Sequence, residues 1–320
     1  MSDEVLVQIV ADLYYPNSPY AFSVVDPKIL SDIYEQFLAK TISISNGVEV
    51  KTEYKPEVKI ANGVYTTPSF IVREMVRRSA ESRISNPADI KEIKIADIAC
   101  GSGIFLLEAY DYLLAHSLQY YVGINKSSDK LRKDDYGDDF LTIEAKKEIL
   151  QKQVFGVDID EQAVEVTKFS LLLKLLEDVP VSEIEALAMR REKILPSLEG
   201  NIVCGNSIVD EKYLAYRGIA SLDHAELSLV KPFDWKSAFP GIFTHGGFDI
   251  VIGNPPYTKI QNMVHYSPRE VGYYQSKFSP YLSSHGNNFD KYHLFFERAI
   301  SLLSEKGCVG FIIPHKFMTH

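Results

Sequence analysis

The stretch Phe248-Asp249-Ile250-Val251-Ile252-Gly253-Asn254-Pro255-Pro256-Tyr257 constrains this chain more than any other. Its first half is short, apolar and β-branched, as expected for a strand buried on both faces of a parallel sheet. Its second half cannot continue that strand. Proline has no N–H to give to a ladder, so pairing must end and the chain must turn. Two successive prolines fix two φ angles and make the turn rigid. Parallel strands also need crossover connections, usually helical, so the rest of the chain must alternate strands with helices.

It does. Ile93–Ile98, Val154–Val157, Ile202–Cys204 and Val309–Ile313 read as further strands of the same apolar kind. Helical spacing marks stretches around Phe105–Ala115, Gln162–Leu176 and Lys291–Leu303. The fold class expected is α/β, a mostly parallel sheet with helices on both faces. Two polar stretches, about 117–143 and about 211–246, read as irregular insertions or loops.

Residues 1–62 are expected to form an N-terminal helical segment. Val5, Leu6, Ile9, Val10 and Leu13 recur at helical spacing. Asp26-Pro27 reads as an N-cap with proline at the first helical position, opening a helix whose apolar face runs from Ile29 to Leu38. A loop of mixed charge follows. Thr67-Pro68 repeats the cap-and-proline signal, opening a helix with Phe70, Ile71, Met75 and Val76 inward and Arg73, Arg77 and Arg78 on a solvated face.

Composition excludes several classes. No run approaches the roughly 20 apolar residues needed to span a bilayer, and no basic region precedes an apolar stretch as in a secretory leader. Cys100, Cys204 and Cys308 are far apart without CxxC spacing, against a disulfide framework or zinc site and in keeping with a reducing cytoplasm. The net charge of −9 is unfavourable for phosphate binding unless a cleft is locally basic.

Asp97-Ile98-Ala99-Cys100-Gly101-Ser102-Gly103 closes the first buried strand and opens a helix. Such a glycine turn exposes N–H groups and a helix N-terminus to a ligand. The third glycine of the dinucleotide fingerprint is replaced by Leu106, and no Lys-Ser/Thr follows to make a P-loop. The next strand ends at Asp158-Ile159-Asp160. A carboxylate there suits a ribose diol, whereas Asp160 suits a helix N-cap. An acidic ribose anchor without the pyrophosphate glycine points to an adenosine ligand such as S-adenosylmethionine.

Asn254-Pro255-Pro256-Tyr257 then stands at the sheet's C-terminal edge, where ligands bind in open α/β sheets. An exocyclic amine such as adenine N6 is conjugated with its ring and is a poor nucleophile. The Asn254 amide oxygen and the Pro255 carbonyl can accept its two hydrogens and draw the nitrogen toward tetrahedral geometry. Tyr257 offers a face for a base removed from the duplex. No metal is required, and no ligand spacing suggests one.

Gly63-Val64-Tyr65-Thr66-Thr67-Pro68, the glycine turn, Asp158, Gly205-Asn206-Ser207 and Asn254–Tyr257, in that order, resemble the gamma class of N6-adenine DNA methyltransferases. They are most similar to the modification domain of type IIG restriction-modification enzymes. Asp290–Phe296 and Gly307–Lys316 also match. The resemblance implies a Rossmann-like class I methyltransferase fold over residues 63–320 and S-adenosylmethionine as cofactor. It further implies double-stranded DNA with a flipped target adenine as partner. Tyr65, Thr66 and Pro68 would border the methionine end of the cofactor. Asp97, Ala99 and Gly101 would surround its amino-acid moiety, Asp158 its ribose, and Asn206 would face its adenine. Gly103, Ile159 and Ser207 would also be cofactor-binding.

The family often has a second tyrosine where Thr66 stands and a proline where Ile98 stands. The chain ends at His320, so the family's final strands and target-recognition domain are expected to be missing, as parts of a longer parent that is also a candidate to carry a nuclease. Glu49-Val50-Lys51 has no nuclease partner motif. Rival readings are a protein glutamine N5-methyltransferase, an N4-cytosine enzyme and a non-catalytic cofactor-binding subunit. Outside the motifs, Phe295, Phe296 and Ala299 read as core, and Tyr273, Tyr274 and Lys277 as candidates to touch DNA.

Overall fold

The computed structural model describes residues 3–13, 17, 28–29, 40–45, 49–54, 67–124, 129–218, 223–286 and 289–315. Helix α1 spans Asp3–Leu13, and strands β1 (Lys40–Ser45) and β2 (Glu49–Tyr54) pair antiparallel. The second N-terminal helix expected from Asp26-Pro27 lies outside the described residues, apart from Lys28 and Ile29. The loop of mixed charge instead contains this hairpin. The sequence signal for it was Asn46-Gly47, a pair favoured in tight hairpin turns, between two stretches with alternating side chains.

The main body begins with α2 (Ser69–Glu81), β3 (Ile95–Asp97) and α3 (Ile104–Ile124). A small hairpin follows, β4 (Leu131–Lys133) with β5 (Asp139–Leu141), then α4 (Ile143–Gln153) and β6 (Val154–Asp158). Next come α5 (Glu161–Leu176), α6 (Val181–Met189) and β7 (Ile202–Cys204). Four short helices, α7 (Lys212–Arg217), α8 (His224–Val230), α9 (Trp235–Ala238) and α10 (Pro240–Phe243), lead to β8 (Phe248–Gly253). Then α11 (Ile260–Met263), α12 (Pro268–Tyr274) and α13 (Lys291–Leu302) precede β9 (Leu303–Phe311).

The five main strands lie in the order β7-β6-β3-β8-β9, all parallel. Side chains alternate between two cores as the pleat requires, except that an irregularity in β8 puts Phe248 and Ile250 on opposite faces. Ile95, Val154, Ile250 and Ile252 face the layer made by α2 to α5, while Ala96, Phe155, Val157, Phe248 and Val251 face an aromatic layer. The expected α/β class with helices on both faces is therefore the one observed.

Several details differ from expectation. The described residues of the stretches 117–143 and 211–246 form regular elements, because Leu118, Tyr120 and Tyr121 extend α3 onto the first core and Tyr213, Val230, Trp235 and Ile242 anchor the four short helices in the second. β9 starts at Leu303 rather than Val309. Leu303 pairs with Phe248, and a register irregularity then carries the exposed Glu305 and Lys306 before pairing resumes at Cys308. Phe70 is 70% exposed; Val72, Val76 and Ala80 form the buried face of α2. Arg77 and Arg78 pair with Glu74 on its solvent side, as a solvated face should.

Phe248 is fully buried between the rings of Phe155, Trp235, Phe239 and Phe243, with centroids 5.6–6.0 Å away. Phe248→Ala leaves a ring-sized void in a layer that rigid aromatics cannot readily close. It is expected to lower the unfolding free energy by about 3–5 kcal/mol in urea titration. A loss below about 1 kcal/mol would show that the layer collapses and that its packing is not specific.

Candidate active site

In sequence order the main strands run outward from β3 in one direction and from β8 in the other. The switch between these two strands opens a crevice at the sheet's C-terminal edge. The turns after β3, β6, β7 and β8 all end there.

At the glycine turn, Cys100 N–H donates to the Val157 carbonyl at 3.1 Å and Gly103 N–H to the Cys100 carbonyl at 2.8 Å. Gly101 and Gly103 have φ of +52° and +87°, where glycine is favoured. A Cβ on Gly103 would stand 2.7 Å from Thr167 Cγ2, and the Thr167 hydroxyl donates to the Gly101 carbonyl at 2.9 Å. Asp158 braces the turn from the neighbouring strand. Its Oδ2 accepts from Gly101 N–H at 2.8 Å and its Oδ1 from Asp160 N–H at 2.9 Å. Asp160 caps α5, accepting from Gln162 N–H at 3.0 Å.

Asp97 is 1% exposed. Its Oδ1 accepts from Ala99 N–H at 2.9 Å, while its Oδ2 is buried and finds no partner among the described residues. Burial pushes this carboxyl up to about 8; the Ala99 N–H opposes the shift and the Asp158 charge adds to it. Gly253, at φ +148°, lies alongside, and a Cβ there would fall 2.5 Å from Asp97 Oδ1. Glycine at the end of β8 is thus what lets the two motifs approach.

A cleft of about 840 Å³ opens beside these turns. Ala99, Asp158, Ile159, Asn206 and Ser207 form one side, with Asn254, Pro256 and Thr258 at another. Asn206 is buried; its Oδ1 accepts from Ile208 N–H at 3.3 Å and its Nδ2 donates to Glu270 Oε2 at 3.3 Å. The Ser207 hydroxyl is buried without a partner among the described residues. The Ser207 carbonyl accepts from the indole of Trp235, the chain's single tryptophan, at 3.1 Å.

The remaining wall was given no site role from the sequence, although two of its residues lie in the matching stretch Asp290–Phe296. Glu226, Arg269, Glu270, Lys291 and Phe295 line it. Glu226, 1% exposed, accepts from the Tyr213 hydroxyl and Arg217 Nε at 2.6 Å each and pairs with Arg269 at 3.1 Å. Glu270 accepts from the Tyr274 hydroxyl at 2.8 Å and faces Lys291 at 3.7 Å. Phe295, assigned to the core, is largely buried and also lines the cleft. Tyr273 and Tyr274 are fully buried and donate to Asp210 and Glu270, which corrects their reading as DNA contacts. Lys277 is exposed, 5.4 Å from the Phe278 ring centroid.

At the proline turn, Pro255 is buried and Pro256 exposed. Asn254 Nδ2 donates to Thr67 Oγ1 at 3.1 Å, and its Oδ1 accepts from the Tyr257 hydroxyl. That hydroxyl also reaches the Ile312 carbonyl at 2.9 Å. Burial raises the Tyr257 phenol to about 12, although its side chain is 42% exposed. The following loop is pinned to the start of α13 by Lys291 N–H on the Thr258 carbonyl at 2.8 Å and Ile260 N–H on the Phe289 carbonyl at 3.1 Å.

Of the Thr-Pro motif, Tyr65 and Thr66 lie outside the described residues. Pro68 is exposed at the N-cap of α2, so the helix begins one residue later than the cap-and-proline reading placed it, and the Thr67 hydroxyl meets Asn254 instead of capping. Among the described residues no group of three or more His, Cys, Asp or Glu is placed to hold a metal ion, and no helix is long and apolar enough to cross a membrane.

Residues 152–320 match the family described as Eco57I restriction-modification methylase, and residues 25–206 match N-6 DNA Methylase. The type II restriction enzyme and methyltransferase RM.Eco57I of Escherichia coli is 36% identical over 97% of this chain, which spans 29% of that protein. The putative type II restriction enzyme and methyltransferase RM.MjaORFECS2P of Methanocaldococcus jannaschii is 25% identical over 72% of this chain and 26% of its own length. Among solved structures, the DrdV–DNA complex superposes with a TM-score of 0.53 at 17% identity, over 98% of this chain and 26% of that one. The chain thus spans less than a third of each of these relatives.

Asp97 provides a test of the site's electrostatics. Its carboxyl is raised from 3.8 to about 8, so the folded state holds a proton that the unfolded state has lost. The stability this contributes is complete below about pH 3.8 and is lost as pH rises through about 8. In the ligand-free protein, the advantage of Asp97→Asn over wild type is expected to widen between about pH 5 and pH 8 in urea titrations. Parallel profiles would show that Asp97 ionises as freely in the fold as in the unfolded chain.

Proposed function

We propose, from the premise that the chain belongs to the Eco57I restriction-modification methylase and N-6 DNA methylase families, that it methylates the N6 amine of adenine in DNA, with S-adenosylmethionine as donor. It would serve as the modification part of a restriction-modification system. The observation that carries this reading is the Asn254 amide held at the rim of a cleft with groups suited to an amino-acid-bearing adenosine.

The residues present fit that cofactor. The unpartnered Oδ2 of Asp97 is a buried acceptor suited to an ammonium. Asp158 stands at the end of the second strand, where a carboxylate can accept from ribose hydroxyls. Ile159 and Phe295 give the cleft apolar surfaces that suit a purine face, and the Ser207 hydroxyl and Asn206 amide give polar groups that suit its edge. Tyr65, Thr66 and Pro68 are assigned to the methionine end on motif position, and Ala99, Gly101 and Gly103 to the turn around it. When bound, S-adenosylmethionine supplies an electrophilic methyl group on a sulfonium.

The chain's own residues act on the target. Asn254 Oδ1 and the Pro255 carbonyl accept the two amine hydrogens and draw the nitrogen lone pair out of conjugation. The same dipoles stabilise the positive charge that grows on nitrogen as the new C–N bond forms. The excess proton then leaves by way of these acceptors to water. Tyr257 presents its ring to the base, and Pro255 and Pro256 keep the acceptors from relaxing.

The test follows cofactor binding by calorimetry and by Trp235 fluorescence, and methyl transfer to adenine-containing duplex by mass spectrometry. Asp158→Ala is expected to abolish measurable cofactor binding. Asn254→Ala is expected to bind cofactor normally while transfer falls by about 10²–10³-fold or more. Binding without transfer in the wild type would mean that the catalytic unit needs further parts of a longer protein to engage DNA. No cofactor binding by a folded sample would sink the assignment.

A further inference from the structure

The amide that must receive the target amine has two ends of nearly identical shape and opposite hydrogen-bonding character. Nothing steric tells Asn254 which end to turn toward the substrate; only its hydrogen-bond partners can. Those partners are Thr67 on Nδ2 and Tyr257 on Oδ1.

The Tyr257 side cannot settle the choice by itself. Its hydroxyl has one hydrogen and two acceptors in reach, Asn254 Oδ1 and the Ile312 carbonyl. When that hydrogen goes to Ile312, which can only accept, the hydroxyl oxygen turns a lone pair to Asn254 and would welcome the NH₂ end as readily as the oxygen. The amide would then present donors, the wrong sign for an amine.

Thr67 lies on the other side, 187 residues away in sequence. It precedes Pro68, the N-cap of α2, and the first turn of that helix closes on the Pro68 carbonyl through Ile71 and Val72 N–H at 2.9 and 3.3 Å. Val72, Val76 and Ala80 fix α2 in the core. The Thr67 hydroxyl is therefore carried by a rigid element, with its oxygen 3.1 Å from Nδ2; since a hydroxyl can also donate, the observed end is set by both partners together, Thr67 accepting from Nδ2 while the Tyr257 O–H donates to Oδ1.

We propose that Thr67 is a positioning residue that holds Nδ2 of Asn254 so that Oδ1 faces the target amine. In the ligand-free protein the Tyr257 hydroxyl satisfies the Oδ1 acceptor that the amine would take. This deepens the methyltransferase reading and rests on it for its kinetic consequence. It also assigns the threonine of the Thr-Pro motif to the target side of the site, whereas the resemblance assigned its neighbours Tyr65, Thr66 and Pro68 to the cofactor.

Thr67→Val keeps shape and removes the acceptor; Thr67→Ser keeps the acceptor and removes the methyl. Thr67→Val is expected to lower kcat about 5- to 30-fold, the loss of one positioning hydrogen bond, while cofactor Kd and DNA KM stay within about two-fold. Thr67→Ser is expected to restore kcat. Unchanged kcat in Thr67→Val, or equal loss in both variants, would overturn the proposal. A rise in cofactor Kd that accounts for the loss would place Thr67 on the cofactor instead. A second readout needs no catalysis. In the ligand-free wild type, NMR is expected to show Asn254 side-chain NH₂ protons close to the Thr67 methyl; contacts to the Tyr257 ring alone would overturn the assignment. That pattern with no cofactor binding by the folded wild type would count against the functional reading and leave the orientation standing.

Discussion

The pairing of β3 with β8 is the constraint on which the site depends. Asp97 lies opposite Ile252, one residue before Gly253 and two before Asn254. That register brings the carboxyl closing the first strand against the glycine closing the fourth, with no room for a Cβ between them. A slip of one residue would send every side chain of β8 to the opposite face. Phe248 and Val251 would leave the aromatic layer and Ile250 and Ile252 the other. The large apolar cost of that exchange holds the register, and through it the distance between the glycine turn and the proline turn.

The cleft's other walls are held by charge. Glu226 and Glu270 are buried carboxylates, and removing either from water is costly unless partners are supplied. Arg217, Arg269 and Tyr213 supply them for Glu226; Tyr274, Asn206 and Lys291 supply them for Glu270. The groups come from several segments, so these contacts tie α7, α8, α12 and the start of α13 to the turn after β7. Asn206, the polar group proposed for the cofactor's adenine, is thereby oriented by a residue beyond the proline turn.

What could be read from the sequence was whatever the backbone itself demands. A glycine turn needs glycine, and a stopped strand needs proline, so Asp97–Gly103 and Asn254–Tyr257 announced themselves as contiguous strings. The parallel sheet followed from five short apolar runs. Contacts made across the chain left no local trace. Glu226, Arg269 and Lys291 are single charges in polar stretches, and Phe295 sits in an apolar helix face where core and cleft residues look alike. Tyr273 and Tyr274 misled for the converse reason: a tyrosine near a motif is equally suited to a base or to a buried carboxylate, and here Asp210 and Glu270 take both hydroxyls. The N-terminal hairpin was marked by Asn46-Gly47, but charged residues on its strands gave the look of a loop.

The proline turn also shows how a strong acceptor can stand ready without being left unsatisfied. A half-buried amide oxygen with no partner would be costly, and one locked in an internal bond would resist substrate. Asn254 Oδ1 meets both demands because its partner has somewhere else to go. When an amine hydrogen takes Oδ1, the Tyr257 hydroxyl keeps the Ile312 carbonyl at 2.9 Å. One hydrogen bond is exchanged for another, none is forfeited, and the Thr67 side of the amide is undisturbed. On the proposed reading, the binding energy of a target base would then be left for stacking and for bending its amine out of plane, which is where the chemistry requires it.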